Sequence, residues 1–428
     1  MAHPDEHPEV ELPASLTRPE LEPFLAELAA LPEPLARAAA ARRALGPELG
    51  RRAAELVSLR LRARTRFPAG DLPHLLAKGL EQASRPAVAA ARAARLAAAL
   101  AERAGGDPAC PCAGAPAIDP TAGLGSDALA LARAGFEVHI GDRALAPCCA
   151  RARTSRRAAS RRARPSRRTR ALPWAPRVLA EAALVLDPDR RPDGAREGDP
   201  ARWSPTLAEC LQLAQRAAAA CIKGAPAVDP EALQLTPGAV EASWISHGGE
   251  LVEVAIWTGA AARRGVTREA IVLGEGAPGA APVVARGEPV DVAPLHPDEV
   301  LCLPWLVEPD PAVIRAGLIG AVARDAALRP LAAKIAYLGG QRPGPPGLTR
   351  SWPVLGAAPL DRKRVRRLLG DLDIGPITVK KRGHSDPAEV LARRFAGPGQ
   401  QRGLIAVVRL DTGHIALVLG PEAAGLAG

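Results

Sequence analysis

Aromatic side chains make up only 3% of the 428 residues, so the interior must be built mainly from aliphatic ones, and hydrophobic residues reach 47%. The abundant Ala, Leu and Arg are good helix formers, which points to a helix-rich chain. Seven cysteines form no Cys-x-x-Cys pair: Cys110 and Cys112 flank a proline, and Cys148 and Cys149 are adjacent. That spacing argues against a zinc framework, so no metal is expected and the thiols read as free, as in a cytoplasmic protein. No run of some 18 apolar residues is present to span a membrane. The opening "MAHPDEHPEVELPASL" has acids and prolines where a secretory signal would need an apolar segment.

Acidic residues are missing altogether from one segment. Arg143 to Arg177 holds 12 arginines, no lysine and no acid; without it the net charge of +10 becomes 44 basic against 46 acidic residues. The basicity is one local block, which weakens whole-chain charge as a sign of an RNA partner.

The length calls for two or three domains. Residues 1–105 read as helices broken by proline and glycine. "RPELEPFLAELAAL", "LGPELGRRAAELVSLRLRART" and "SRPAVAAARAARLAAALAERAGG" carry apolar residues at three- and four-residue spacing. In the last of these, Ser84 is the expected N-cap and Gly105-Gly106 the expected stop. From Ala117 strands and helices alternate: a helix over 127–134, strands in "FEVHIGD" and "AALVLDPD", a helix in "SPTLAECLQLAQRAAA", a strand in "ACIKGAPAV". Alternation predicts a mainly parallel sheet between helices. "EASWISHGGELVEVAIW" then reads as two strands joined at His247-Gly248-Gly249, a terminal hairpin. Residues 276–349 read as a connecting module rich in Gly, Pro and Ala. The segment 350–420 reads as a small α+β domain with a basic helix over 361–370.

Gly123-Leu-Gly125-Ser-Asp-Ala128 fits the dinucleotide pattern G-x-G-x-x-G/A. A pyrophosphate prefers a helix N-terminus free of negative charge. Here Asp127 sits in that first turn and Asp119 ends the preceding strand. Those carboxylates suit a ligand with an ammonium and a sulfonium, which S-adenosylmethionine is. Asp142, 19 residues beyond Gly123, is placed to bind ribose hydroxyls in either cofactor class. A nucleotide-dependent oxidoreductase is therefore the weaker rival.

Asp187 ends the next strand, in "LVLDPDRR", and should face the same crevice. Methyltransferases acting on exocyclic amines carry Asp-Pro-Pro-aromatic there. This chain has Asp187-Pro188-Asp189-Arg190, and Trp203 is a candidate for the missing stacking surface. An ordinary Asp-Pro-Asp turn is the competing reading.

On "GLEQASRPAVAAARAAR", "DPTAGLGSDALALARAG", "LDPDRR…DPARWSPTL", "EASWISHGGELVEVAIWTG" and "PLDRKRVRRLLGDLDIGPITVKKRG", the chain resembles bacterial class I methyltransferases with a C-terminal THUMP-like domain. "DPTAGLGSDALALA" also resembles the loop of small-subunit rRNA guanine methyltransferases. The resemblance implies a Rossmann-like sheet over 115–275 closed by an antiparallel hairpin, S-adenosylmethionine as cofactor and an RNA guanine amine as acceptor. It implies RNA binding by the tail by analogy. The residues offered for that are Arg362, Lys363, Arg364, Arg366, Arg367, Lys380, Lys381 and Arg382, although a solvated basic helix face reads equally well.

The chain departs from this pattern between Asp142 and Asp187. The 44 intervening residues have room for a helix, a third strand and a residue reading the adenine edge. Their arginine-dense content cannot be buried without unpaired charge. Residues 150–172 are expected outside the sheet, leaving the adenine side without a wall and donor affinity weak. A catalytically impaired RNA-binding protein of this fold is accordingly the alternative.

Overall fold

The computed structural model describes residues 14–64, 67, 80, 83–105, 114–141, 164–165, 176–190, 198–274 and 281–423. They fall into two compact units, 1–224 with 255–263, and 225–254 with 264–428.

The first unit opens with α1 (Glu22–Ala30), α2 (Pro34–Leu45) and α3 (Pro47–Ala63), followed by α4 (Pro86–Ala104). Proline begins α2, α3 and α4, where its missing N–H has no helical partner to lose. Gly105, at φ +63, closes α4 as expected. The N-cap of α4 is Arg85, which makes no side-chain cap bond; Ser84 has another role, described below. Leu16, Leu25, Leu28, Leu56, Val57 and Leu59 bury the apolar faces of the first three helices together. Gly50 permits the close crossing of α2 and α3, because a Cβ there would lie 2.6 Å from the Ala41 carbonyl carbon.

The alternating part follows: β1 (Pro116–Asp119), α5 (Ser126–Arg133), β2 (Glu137–Ile140), β3 (Arg164–Pro165), α6 (Pro176–Glu181), β4 (Ala183–Leu186), α7 (Leu207–Ala214) and β5 (Ala219–Gly224). The strands run in the order β3-β2-β1-β4-β5, and all four neighbouring pairs are parallel. β4 and β5 are buried along their whole length, which suits near-continuous runs of Ala, Val, Leu and Ile. The Thr206–Glu209 capping box starts α7. Of the arginine block, the described residues are Arg164–Pro165 and Pro176–Arg177. Residues 150–172 are expected outside the sheet, with a neighbouring strand missing or poorly formed; the first part is corrected at Arg164–Pro165, a two-residue strand parallel to His139–Ile140. The other residues of 150–172, and Asp142, lie outside the described residues.

β6 (Val240–His247) and β7 (Glu250–Gly259) form the expected hairpin. Gly248 and Gly249 both have positive φ, +62 and +76, the backbone a two-residue hairpin turn demands. Residues 255–259 of β7 belong to the first unit and residues 250–254 to the second.

The second unit continues with β8 (Arg268–Leu273), parallel to β6, and β9 (Val283–Gly287), antiparallel to β8. Then come α8 (Pro297–Leu301), β10 (Trp305–Pro309), α9 (Pro311–Arg315), α10 (Ile319–Asp325), β11 (Arg329–Pro330), β12 (Leu338–Gly340), β13 (Thr349–Pro359), α11 (Arg362–Asp371), β14 (Ile374–Arg382), α12 (Ala388–Phe395), β15 (Gln401–Leu410) and β16 (Gly413–Leu419). Seven strands form one sheet in the order β11-β12-β10-β13-β16-β15-β14. The segment read as a connector thus supplies β10, β11 and β12 to the sheet of the C-terminal domain, with β10 paired directly to β13. α11 and α12 bury Val365, Leu369, Leu391 and Phe395 against Ile405, Val407 and Val418.

Candidate active site

The site lies in the first unit, where β1, β4 and β5 end. Asp119, the last residue of β1, is 2% exposed. Its Oδ1 accepts from the Thr121 N–H at 3.2 Å and from the Thr121 hydroxyl at 3.4 Å. The same hydroxyl accepts from the backbone N–H of Asp187 at 2.7 Å, so one threonine ties the end of β1 to the loop after β4. Burial pushes the Asp119 carboxyl up to about 8; the nearby charge of Asp127 adds to this, and Lys223 opposes it.

Between Asp119 and α5 the chain turns through Gly123 (φ +51) and Gly125 (φ +82), left-handed positions that favour glycine. Among the described residues, a Cβ at either would meet nothing within 4 Å.

Asp127 follows in the first turn of α5, and its carboxylate is fully engaged by the protein. It accepts from the Ser84 hydroxyl at 3.0 Å, from the Lys223 ammonium at 3.1 Å and from Arg92. Arg92, 1% exposed, also donates to Ser84 Oγ at 2.8 Å, while the Ser126 hydroxyl donates to the Ser84 carbonyl at 2.9 Å. Ser84 therefore joins α4 to the glycine loop, which is why its hydroxyl does not cap its own helix. Burial alone would raise the Asp127 carboxyl; Arg92 and Lys223 outweigh it and hold the group well below the usual carboxylate range. The sequence reading turned Asp127 toward a cationic ligand. The structure gives it two cations of the protein, Arg92 and Lys223.

Lys223 reaches a second carboxylate, Asp187 Oδ2, at 2.5 Å. Arg190 lies 3.7 Å from Asp187 Oδ1 and donates to the Gly224 carbonyl at 3.1 Å. Pro188 is buried, and Asp189 exchanges two backbone hydrogen bonds with Ser204, at 2.8 and 2.9 Å. This pins the Asp-Pro-Asp loop beside Trp203. At 2% exposure, Trp203 is a core residue and offers no open stacking face.

The structure thus brings together Asp119, Gly123, Gly125, Asp127, Asp187 and Pro188. Sequence reasoning missed Lys223, Arg92 and Thr121. A signal was present for two of them: Lys223 is the one charge in the buried strand "AACIKG", and Arg92 falls on the buried stripe of α4 with Val88, Ala89, Ala93 and Leu96.

In the second unit, Lys363, Arg364 and Arg367 stand exposed on α11 with Arg362 and Arg366. Lys380, Lys381 and Arg382 on β14 are half-buried. Lys380 and Arg382 both donate to Glu308, at 2.7 and 3.1 Å, and Lys381 donates to the His384 carbonyl at 2.9 Å.

Comparison with known proteins follows the same lines. A crystal structure of a presumed methyltransferase from Porphyromonas gingivalis aligns with a TM-score of 0.68, over 94% of this chain and 97% of that one, at 17% identity. Residues 349–421 match the family described as THUMP domain-like. The chain shares the fold of the Porphyromonas gingivalis protein, and its C-terminal residues are THUMP domain-like. Over 241 residues, 56% of its length, it is 31% identical to two proteins of Mycobacterium tuberculosis, one from each of two strains, described as uncharacterized S-adenosylmethionine-dependent methyltransferases. The match spans 64% of the length of these curated relatives. Among the described residues, no helix is long and apolar enough to cross a membrane.

Proposed function

We propose that the protein is an S-adenosylmethionine-dependent methyltransferase whose acceptor is a nitrogen of an RNA base, with the exocyclic amine of guanine favoured. One observation carries this: the glycine loop and the Asp187 loop are fastened to each other, through Thr121 and through Lys223, at the ends of neighbouring parallel strands. Open parallel sheets bind ligands there.

The residues present fit the cofactor. Among the described residues nothing fills the space where a side chain at Gly123 or Gly125 would stand; Asp119, Gly123, Gly125 and, by its spacing in the sequence, Asp142 are the groups that would hold it. When bound, S-adenosylmethionine supplies a methyl group activated by positively charged sulfur. Asp127 serves at one remove, anchoring the loop to α4 through Ser84 and Arg92. Asp187 accepts a hydrogen bond from the acceptor N–H and so directs the nitrogen lone pair; the Pro188 turn, braced by Asp189 and Ser204, fixes where that carboxylate stands. In-line displacement depends mainly on such positioning. A paired base must first be unstacked or presented single-stranded. For the RNA itself, α11 offers Lys363, Arg364 and Arg367, and Lys380, Lys381 and Arg382 border them in sequence on β14.

The composition of 143–177 favours a second reading, a methyltransferase-fold RNA-binding protein with an impaired donor site. Calorimetric titration of the full chain with S-adenosylmethionine, and separately with NAD, distinguishes the readings. One-to-one binding of the methyl donor and none of NAD is expected. Heat from NAD alone would revive the oxidoreductase, and no heat from either ligand would leave the impaired form standing.

A further inference from the structure

Lys223 is 4% exposed on a strand whose other residues are Ala, Cys, Ile and Gly. An ammonium at such a depth is costly unless it is paired, and apolar residues in place of the whole pair would commonly be as stable or more so. Its two carboxylate partners belong to different halves of the site. Asp127 Oδ2 lies at 3.1 Å on the donor loop's helix, and Asp187 Oδ2 at 2.5 Å on the acceptor loop.

The two partners do not depend on it equally. Without Lys223, Asp127 keeps Arg92 and the Ser84 hydroxyl. Asp187 keeps Arg190, at 3.7 Å and beyond hydrogen-bond reach. We infer that Lys223 is a positioning residue which holds Asp187 by Oδ2 against the donor loop, aiming Oδ1 at the acceptor nitrogen. This rests on the methyltransferase reading above and adds the substrate class. A carboxylate bonded to an ammonium is an acceptor only, so the nitrogen it orients must itself carry hydrogen. Exocyclic amines and ring N–H groups qualify; ring nitrogens with only a lone pair do not.

The test uses the full chain as Lys223→Met, Lys223→Arg, Asp187→Asn and Lys223→Met/Asp187→Asn. Donor affinity is read by calorimetry, methyl transfer to total RNA by steady-state kinetics, and stability by thermal unfolding. In Lys223→Met, donor Kd should rise by less than about tenfold, since Asp119 loses a nearby cation, and RNA KM should stay within about threefold, while kcat at saturating donor falls about a hundredfold, the scale of a misplaced reacting group. Lys223→Arg should regain at least about a tenth of wild-type kcat, since it restores a donor to both carboxylates. Donor Kd worsening in step with kcat, Lys223→Arg no better than Lys223→Met, or label on a ring nitrogen without hydrogen would each overturn the inference.

The unfolding cycle separates this from failure of the parent reading. The double variant should lose less than the sum of the Lys223→Met and Asp187→Asn losses, because residues in contact are not additive. Additive melting shifts would sink the Lys223 contact whatever the activity. An inactive wild-type protein with non-additive shifts would overturn the methyltransferase reading and the positioning role together, leaving only the ion pair.

Discussion

Asp119 and Asp127 sit eight positions apart and meet opposite electrostatic fates. Burial pushes Asp119 up to about 8, so it is largely neutral at pH 7, whereas Arg92 and Lys223 overcome burial at Asp127 and keep it charged. A donor carrying ammonium and sulfonium favours ionised Asp119. Donor affinity should therefore rise as pH passes upward through about 8, with binding at pH 7 releasing a proton. Calorimetry from pH 6.5 to 9 in two buffers of different ionisation heat checks this, and a flat, buffer-independent profile would remove Asp119 from the donor site. The stability terms run in opposite directions. Asp119, raised above its ordinary 3.8, costs stability as pH climbs from there toward 8. Asp127, lowered, gives stability above its ordinary value that is lost as pH falls through its depressed one. Breaking a buried pair from one side costs about 3–5 kcal/mol, so Arg92→Met should lose stability on that scale in urea denaturation. A loss within 0.5 kcal/mol, about the effect of an ordinary surface substitution, would show that the Arg92–Asp127 pair does not hold the loop. Asp187→Ala should abolish methyl transfer and leave donor affinity within a few-fold; equal loss of both would make Asp187 part of the donor site.

At the scale of elements, two basic segments close in sequence separate cleanly. α11 turns Val365 and Leu369 inward and leaves Arg362, Lys363, Arg364, Arg366 and Arg367 exposed. On β14, Lys380 and Arg382 share Glu308, whose side chain is 15% exposed. Replacing Lys363, Arg364 and Arg367 by Ala should weaken RNA binding and flatten its salt slope by roughly 2, at about 0.7 per phosphate contact on single strands, with melting unchanged. Replacing Lys380 and Arg382 should lower the melting temperature first, because a half-buried glutamate is left without its cations. RNA affinity indifferent to the α11 triple variant would make that helix an ordinary solvated face. The sequence could identify α11 as basic and amphipathic, since its periodicity is local. The tethering of β14 is not local: Glu308 lies 72 residues before Lys380. β11 and β12 are two and three residues long, too short for alternation to register, which is why 276–349 read as a connector.

At the scale of the whole molecule, the parallel strands, the glycine loop, the Gly248-Gly249 hairpin and the C-terminal α+β domain were all legible, because each is carried by short-range patterning. The ion network behind the loop was not. Lys223 is the single charge of β5 and Arg92 one of four charges on α4, and only tertiary pairing distinguishes them from charges at an element's exposed edge. Asp142 and most of 143–177 lie outside the described residues, so their assigned roles rest on spacing and composition. The central claim, methyl transfer to an RNA base amine, has one direct measurement. The full chain is incubated with S-adenosylmethionine labelled in its methyl group and total bacterial RNA, and the RNA is digested to nucleosides and separated. The account predicts label in one modified nucleoside, on the exocyclic amine of guanosine, and none with Asp187→Ala. Unlabelled RNA, or label that survives in Asp187→Ala, would contradict it.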